Sequence, residues 1–419
     1  MTRKAPTRIA AAVLSSLGGG VVPRVGLEYI TVGRQAEIHA LLRDVQQIAE
    51  GGAAFRFLVG KYGAGKSFLL QTMRNHVMEK GFIVLDCDLT PQRRFCGSRG
   101  QGAATYQELV RNLSTRTKPD GSALQLLLDR WAAAVQKEQL PATLQAMQEQ
   151  VHGFDFSVAL QKYWKAFHEG DDDTKARVLR WLRGEYTTKT AAKQAIGINL
   201  IVNDDNWYDF LKLLAGFAVQ AGYAGMLVMI DELVNLYRIP HRATRQYNYE
   251  KLLSMYNDTL QGKAQHIGFI MGVTPQALED SDKGLFSYDA LRSRLAEGRF
   301  ASTGVRDLLA PVIRLASLRD EELLVLCEKL AALHAQLYDY PATTTPEEIA
   351  QFLKIEFDRM GAAQHITPRE IIRDFIELLN LTYQSPGARV GDILAAGGFT
   401  FAQTDQNDSL EDEFAAFEV

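Results

Sequence analysis

Residues 60–67 read Gly60-Lys61-Tyr62-Gly63-Ala64-Gly65-Lys66-Ser67, which fits the phosphate-loop pattern G-x-x-x-x-G-K-[ST]. The apolar residues 55–59 precede this loop and favour a buried strand, whereas residues 67–73 favour a helix. A strand before the loop and a helix after it are the context in which such a loop binds phosphate. The stretch therefore predicts a nucleotide site. An ordinary glycine turn is the alternative, and the two flanks argue against it.

Each residue type in this loop has a chemical role in holding a triphosphate. Glycines let the backbone N–H groups turn toward the β-phosphate, and the following helix adds the partial positive charge of its N-terminus. Lys66 is expected to reach the β- and γ-phosphates, and the Ser67 hydroxyl to ligate Mg²⁺. The predicted cofactors are therefore ATP and Mg²⁺. The predicted binding residues of the loop are Gly60, Gly63, Ala64, Gly65, Lys66 and Ser67.

The composition sets broad limits on the class of protein. A chain of 419 residues has room for two or three packed units. Because 46 Lys+Arg face 50 Asp+Glu, for a net charge of −4, no global basic excess indicates nucleic acid. Any contact with nucleic acid would have to be local or come from assembly. The three cysteines lack metal-ligand spacing, which fits a reducing cytosol.

The first residues superficially resemble a signal peptide. Arg3, Lys4 and Arg8 flank the start of an apolar stretch at 9–14, but glycines from Gly18 onward break it without a small-residue cleavage pattern. We expect an amphipathic helix with a glycine C-cap instead. No run approaches the roughly 18 apolar residues of a membrane span. The prediction is a cytoplasmic protein without a membrane segment.

Two further apolar runs predict strands that complete the phosphate site. Residues 82–88 favour a second core strand, and residues 226–232 favour a strand buried on both faces that ends in Asp231 and Glu232. Ligands bind at the carboxyl ends of parallel strands. We therefore expect Asp231 to hold the Mg²⁺ shell and Glu232 to polarise the attacking water. The alternative is a solvated acidic turn after a buried strand.

Residues 267–273 predict one more strand, which ends at Thr274 and Pro275. A polar residue at this strand end would lie beside the γ-phosphate and position water, as sensor-1 residues do. An ordinary turn with Thr before Pro is the alternative. Farther along, Arg292 and Arg294 resemble the arginine finger of AAA+ proteins, which neutralises transition-state charge in a neighbouring subunit. Surface ion pairs are the competing explanation for both arginines.

The segment Val32-Gly33-Arg34, followed by Glu37, precedes the phosphate loop. It resembles the turn with which many AAA+ and signalling NTPases hold adenine. The backbone of Val32 and Gly33 is therefore predicted to contact the purine edge.

Between residues 95 and 200, apolar residues recur every three to four positions, which predicts helices. This stretch predicts an insertion within the NTPase domain. Two groups of arginines mark it, and either a solvated face or a surface for a partner or nucleic acid accounts for them. The helical stretches are 124–135, 144–151 and 158–167, and the arginines are Arg93, Arg94, Arg99, Arg177, Arg180 and Arg183.

From about residue 316 the sequence predicts a small helical lid. Residues 345–348 and 367–370 both read Thr-Pro-x-Glu, which combines a threonine cap, a first-turn proline and a capping-box glutamate. Arg369, in the first turn of the last major helix, occupies the place of a sensor-2 arginine that reaches back to the phosphates. A simple polar first-turn residue is the alternative. The acidic residues from 405 onward predict a disordered tail or a docking peptide.

Taken together, these residues resemble the P-loop ATP-binding proteins of bacterial phage-defence operons of the BREX type. The resemblance implies an AAA+-like ATPase, related to the initiator and loader clade, that acts beside other defence proteins, often a large helicase. The stretch after residue 385 is too short for the winged-helix DNA reader of initiator ATPases, so autonomous sequence-specific DNA binding is in doubt. The residues that carry the resemblance are 20–24, 32–34, the phosphate loop, 230–232, 247–250, 257–258 and 284–291.

The predicted fold is an α/β P-loop NTPase of the AAA+-like kind: a parallel-sheet core with a large helical insertion and a C-terminal helical lid. The leading hypothesis is an ATPase that couples its nucleotide state to assembly with its own copies and with partner proteins, on DNA. The alternative is a nucleotide-dependent scaffold with little or no hydrolysis; a small-molecule kinase is disfavoured. The predicted boundaries are 1–94 and 201–315 for the core, 95–200 for the insertion, 316–385 for the lid and 386–419 for the C-terminal segment.

Overall fold

The structure is a computed structural model that describes residues 4–298, 306–360, 367–385 and 387–396. The chain divides into two compact units. The helical unit contains the described parts of 1–38, 60–72 and 314–408, and the sheet unit contains 39–59 and the described parts of 73–313. The predicted acidic tail lies outside the described residues. The domain boundaries expected from the sequence remain predictions.

One five-stranded sheet has the order β2-β3-β4-β1-β5. The pairs β1–β4, β3–β4 and β2–β3 are parallel. The strand that precedes the phosphate loop is therefore separated from the strand that ends in Asp231 by a single strand, β4. The strands are β1 (Ala53–Val59), β2 (Ile83–Asp88), β3 (Met226–Asp231), β4 (Ile267–Val273) and β5 (Val312–Arg314).

The helices of both units are numbered in chain order. They are α1 (Thr7–Gly18), α2 (Leu27–Ile30), α3 (Gln35–Ala49), α4 (Lys66–Glu79), α5 (Gln101–Arg111), α6 (Leu124–Ala134), α7 (Leu140–Gln148), α8 (Gly153–Glu169), α9 (Asp172–Leu182), α10 (Lys189–Ile196), α11 (Trp207–Gln220), α12 (Val234–Tyr237), α13 (Arg242–Leu260), α14 (Pro275–Glu279), α15 (Asp289–Leu295), α16 (Asp320–Tyr338), α17 (Pro346–Met360), α18 (Pro368–Gln384) and α19 (Val390–Ala396). A 3₁₀ turn occupies Leu285–Ser287.

The sheet unit has one hydrophobic core shared by the strands and the helices between residues 101 and 196. Every residue of β3 and β4 is buried, which explains their uniformly apolar sequence. Large aromatic side chains fill the space between α6, α8 and α11: Trp131 packs edge-on against Phe217, and Phe156 lies close to the same ring. The helices predicted as an insertion thus pack into the same core as the sheet.

The helical unit joins the first helices of the chain to the last ones. Helix α1 packs against α16 and α18, and buried residues of all three belong to one hydrophobic core. The apolar face expected for the N-terminal helix is buried in this way, and Gly19 follows the helix as its C-cap.

Both predicted capping boxes are present in this unit. The Thr345 N–H donates to Glu348 Oε2 at 2.9 Å, and the Thr367 N–H donates to Glu370 Oε2 at the same distance. The Glu348 N–H donates back to Thr345 Oγ1 at 3.3 Å, and the Thr367–Glu370 box is likewise reciprocal. These bonds satisfy N–H groups at the helix start, so they fix where α17 and α18 begin.

Several predicted elements differ from the structure at their ends. The strand predicted over 226–232 ends at Asp231, because Glu232 adopts a left-handed backbone with φ 59° that cannot continue a strand. Helix α7 begins earlier than predicted, at Leu140, and ends at Gln148. Helix α13 was missed because its buried face mixes polar Arg245 and Asn248 with apolar residues.

His334 makes the stability of the helical unit dependent on pH. The ring is buried; its Nε2 donates to Asn380 Oδ1 at 3.0 Å and its Nδ1 accepts from the Tyr340 hydroxyl at 2.9 Å. Burial lowers the pKa of His334, so the folded chain keeps the ring neutral. Because the unfolded ring takes up a proton near its ordinary pKa of about 6.5, stability is lost as pH falls through that value.

We therefore expect urea midpoints to fall between pH 7.5 and pH 5.5, and to fall less in His334→Gln than in the wild type. His39→Gln, which changes an exposed histidine, is the matched control. Equal pH dependence in all three proteins would contradict a role for His334.

Candidate nucleotide-binding site

The phosphate-binding loop joins the end of β1 to the start of α4. Gly63 and Gly65 have φ values of 73° and 93°, in the left-handed region that other residues rarely adopt. Helix α4 begins at Lys66, and its backbone ladder starts with the bond from the Leu69 N–H to the Gly65 carbonyl at 3.0 Å. The earlier N–H groups of the helix are outside that ladder and suit an anion.

Lys66 lies on the loop itself. Its Nζ donates to the Gly60 carbonyl at 2.8 Å and to the Lys61 carbonyl at 3.2 Å, and it lies 5.3 Å from the centre of the Tyr62 ring. Ser67, the second residue of α4, is exposed. A buried ammonium and an exposed hydroxyl on one turn are the two groups that a magnesium-bound triphosphate requires there.

Arg34 joins the loop to the segment that precedes α16, and both belong to the helical unit. Its Nη2 donates to the Ala64 carbonyl at 2.9 Å and its Nη1 donates to the Ala316 carbonyl at 2.8 Å. Gly33 and Arg34 both have a left-handed backbone, with φ values of 60° and 63°. A Cβ atom on Gly33 would lie only 3.1 Å from Glu322 Oε1 at the start of α16.

The structure therefore brings the predicted purine-contacting segment, Val32 and Gly33, beside the phosphate loop. Arg34 belongs to the Val32-Gly33-Arg34 motif, of which only Val32 and Gly33 were predicted to contact the nucleotide. Its position directly after Gly33 was the available indication, but its two carbonyl partners are far away in sequence. Arg34 is best described as a positioning residue of the site.

The first turn of α18 also contacts the loop. A Cβ atom on Gly63 would lie 2.5 Å from Thr367 Oγ1, so the cap residue of α18 packs directly on that glycine. Arg369 follows two positions later and is exposed. The helical unit thus places Arg369 on the helix turn that contacts the loop, and its role as a sensor-2 arginine stays a prediction.

The carboxyl edge of the sheet carries Asp231 at the end of β3. A Cβ atom on Gly272 would lie 2.7 Å from Asp231 Cγ and closer still to Oδ1, so the carboxylate of Asp231 covers the glycine of β4. Asp88 ends the neighbouring strand β2 and pairs with Asp231 in register. Desolvation raises the pKa of Asp88, and the negative charge of Asp231 raises it further. Crowded carboxylates of this kind suit a cation.

Glu232 and Thr274 occupy the turns that follow β3 and β4. The Glu232 N–H donates to Asp231 Oδ1 at 2.9 Å, which holds the carboxylate and the turn together. Thr274 is buried and caps α14, because its Oγ1 accepts from the Ala277 N–H at 3.3 Å. Thr274 thus forms the ordinary turn before Pro275 that is the alternative to the sensor-1 role. Its hydroxyl accepts this bond and can still donate its own proton.

The two arginines of α15 differ in their surroundings. Arg294 donates to Asn257 Oδ1 at 3.1 Å and to the Ala290 carbonyl at 2.8 Å, which binds it to its own chain. Both arginines are exposed. The arginine-finger role of the pair stays a prediction.

An α/β sheet with a phosphate-binding loop between its first strand and the following helix defines a nucleotide-binding protein. The family described as "BREX system ATP-binding protein BrxC/D" matches residues 5–143 and 136–397, and the chain belongs to this family. The resemblance found in the sequence is confirmed: this is an ATP-binding protein of BREX phage defence. No match was found among curated proteins. No helix in the described part of the chain is long and apolar enough to cross a membrane.

We expect Lys66→Ala to abolish detectable ATP binding, because the β- and γ-phosphates lose their ammonium partner. Titration with a fluorescent ATP analogue measures the effect. Lys61→Ala is the matched control, since Lys61 is exposed and contributes only its carbonyl to the loop contact described above. Unchanged ATP affinity in Lys66→Ala would remove the loop from the binding site.

Proposed function

We propose that this protein is an AAA+-like ATPase that hydrolyses ATP in a magnesium-dependent reaction. We propose further that its nucleotide state controls assembly with its own copies and with other defence proteins, among them a large helicase, on DNA. The observation that carries the proposal is the Asp231 carboxylate seated on Gly272, at the same sheet edge from which the left-handed glycine loop starts.

The residues fit a magnesium-bound triphosphate. Lys66 and the N–H groups at the start of α4 would hold the β- and γ-phosphates, and Ser67 and Asp231 would hold the Mg²⁺. When bound, this ion neutralises charge on the phosphates. The charge crowding at Asp88 and Asp231 supports this assignment, because a cation would relieve it.

Glu232 is the proposed general base. Its left-handed backbone turns the chain away from β3 immediately after Asp231. The proposed base and the proposed metal ligand are therefore consecutive residues, and the backbone changes direction between them. Thr274 follows β4, which is the strand between β1 and β3. A hydroxyl donor there is proposed to orient the water that Glu232 deprotonates.

Arg292 is the proposed trans-acting cation, and Arg369 the proposed sensor of the γ-phosphate. A finger supplied by a neighbouring copy makes hydrolysis depend on assembly, which is the coupling that the proposed function needs. The bonds of Arg294 to Asn257 and Ala290 favour a structural role for that residue. Because these bonds leave one fewer candidate for a trans-acting cation, the nucleotide-dependent scaffold with little or no hydrolysis remains the second candidate function.

Glu232→Gln distinguishes the two candidates. We expect it to retain ATP binding, since Lys66, Ser67 and Asp231 remain, and to slow turnover by roughly 10²–10⁴ because the general base is lost. Steady-state phosphate release and ATP titration measure the two effects, and Glu185→Gln, at an exposed position, is the control. A wild-type protein without turnover in the presence of DNA and partner proteins would favour the scaffold.

Mixing variants tests whether Arg292 acts in trans. Arg292→Ala and Glu232→Gln should each be slow alone, and their mixture should regain hydrolysis because some sites combine intact Lys66 and Glu232 with the arginine of a neighbour. Since a finger contributes ~10³–10⁵ in rate, a minority of such sites is measurable. A mixture of Lys66→Ala with Glu232→Gln should regain nothing, because neither chain has a complete site. Wild-type rates in Arg292→Ala would exclude the finger.

A further inference from the structure

The two groups of arginines found in the sequence have different surroundings in the sheet unit. In the first group, Arg93 forms an ion pair with Glu108 at 3.1 Å. The second group lies on α9 and at its C-cap, where Arg177 and Arg180 are exposed and Arg183 is half-buried. The second group is therefore the one that a large partner can reach.

Further cations lie on the two helices that pack beside α9. Lys189 and Lys193, four residues apart on α10, are both exposed. Helix α10 packs against α9, and α9 packs against α8. A Cβ atom on Gly197, the C-cap of α10, would lie 3.9 Å from Lys162 Nζ, so this ammonium of α8 lies beside the end of α10. We call the set the cationic surface, and it consists of Lys162, Arg177, Arg180, Arg183, Lys189 and Lys193.

The charges of the cationic surface are not balanced within the chain. In the described part of the chain, no carboxylate forms an ion pair with any of its residues. The acidic first turn of α9 has a different partner, because Asp172 pairs with Lys175 at 3.4 Å. Between residues 174 and 197, Glu185 is the one carboxylate. Charge is thus separated along α9, which is acidic at its start and basic at its end.

Helix dipoles account for only part of this arrangement. Arg180 and Lys193 lie in the last turns of α9 and α10, where the negative end of the dipole favours a cation. Lys189 is the first residue of α10, where the positive end of the dipole disfavours one. Lys189 therefore adds positive charge at a cost in stability, which an anion from outside the chain would offset.

The cationic surface is partly preorganised. The Arg180 guanidinium lies 4.8 Å from the centre of the Tyr186 ring, and Tyr186 is itself buried. On the other side of α9, the buried Trp181 donates through Nε1 to the Leu200 carbonyl at 2.7 Å and fixes the helix to the core. A guanidinium held against a fixed ring loses less conformational entropy when it binds a phosphate.

The region offers a partner little except charge. Residues 171–197 are all described, and none of their large apolar or aromatic side chains is exposed. A protein interface needs such side chains as anchors at its centre, and a single nucleic acid strand needs exposed rings on which its bases stack. A nucleic acid duplex needs neither, because it presents a dense row of phosphates.

We infer that the cationic surface binds the phosphate backbone of duplex DNA without reading its sequence. The choice of DNA as the duplex rests on the proposed function, which leaves the contact surface open. Arginine and lysine bind phosphate oxygens through charge-assisted hydrogen bonds, and each contact releases a counterion from the duplex. The net charge of −4 does not prevent such binding, because positive charge is concentrated on three adjacent helices.

The test measures binding of a short fluorescent DNA duplex of mixed sequence to the full chain, without nucleotide and at several salt concentrations. Arg177→Gln combined with Arg180→Gln removes two phosphate contacts. The slope of log affinity against log salt should therefore become shallower by about 2, and affinity at low salt should fall by about ten-fold or more. Lys189→Gln combined with Lys193→Gln should have the same effect, because the two helices contribute to one surface.

Arg8→Gln combined with Arg43→Gln is the matched control. These exposed arginines lie on α1 and α3, outside the cationic surface, and their loss changes the net charge by the same amount. The control should keep the wild-type slope. ATP affinity and thermal unfolding should be unchanged in all of these variants, because the cationic surface is separate from the nucleotide site.

The inference is overturned if the wild-type chain does not bind the duplex, if the surface variants keep the wild-type slope, or if the control loses as much. Equal competition by poly-L-glutamate would also overturn it, and would assign the surface to an acidic protein. Tighter surface-dependent binding of an RNA duplex or of a single DNA strand would overturn it as well. Absence of ATP turnover, measured separately, would count against the proposed function alone. DNA binding that the surface variants weaken would support the inference even then.

Discussion

The guanidinium of Arg34 holds together the parts of the helical unit that would contact the nucleotide in the proposed function. It bonds the Ala64 carbonyl within the phosphate loop and the Ala316 carbonyl that precedes α16. A glycine loop with two left-handed residues has many alternative shapes, and fixing one of its carbonyls selects among them. Thr367 confines the same loop from the side of Gly63. The loop, the segment before α3 and the first turn of α18 are thus one preorganised surface, which reduces the entropy that ATP binding would otherwise cost.

A second constraint acts at the carboxyl edge of the sheet. The carboxylate of Asp231 occupies the space above Gly272, where any larger residue would displace it. The N–H of Glu232 bonds the same carboxylate, and the left-handed backbone of Glu232 depends on that turn. The Asp231 carboxylate is thus held by its own neighbour and by a glycine on the adjacent strand. Under the proposed function, this ligand is fixed before Mg²⁺ binds.

Local patterns account for what the sequence could predict. The apolar runs of β3 and β4 and the capping boxes of α17 and α18 depend on neighbouring residues, so they are visible without the fold. Long-range contacts could not be predicted in this way. The carbonyl partners of Arg34 and the approach of Asp231 to Gly272 join segments that only the tertiary structure brings together. The buried polar face of α13, with Arg245 and Asn248, conceals the periodicity that would have indicated a helix.

Hydrogen exchange with and without ATP and Mg²⁺ tests the central claim most directly. If the phosphate loop binds ATP together with the surface that Arg34 and Thr367 organise, three segments should gain protection in the same titration: residues 31–34, residues 60–69 and residues 367–371. Arg34→Gln should reduce this gain in all three segments. Protection confined to other parts of the chain, or protection of residues 60–69 without any change at 31–34 and 367–371, would contradict the account.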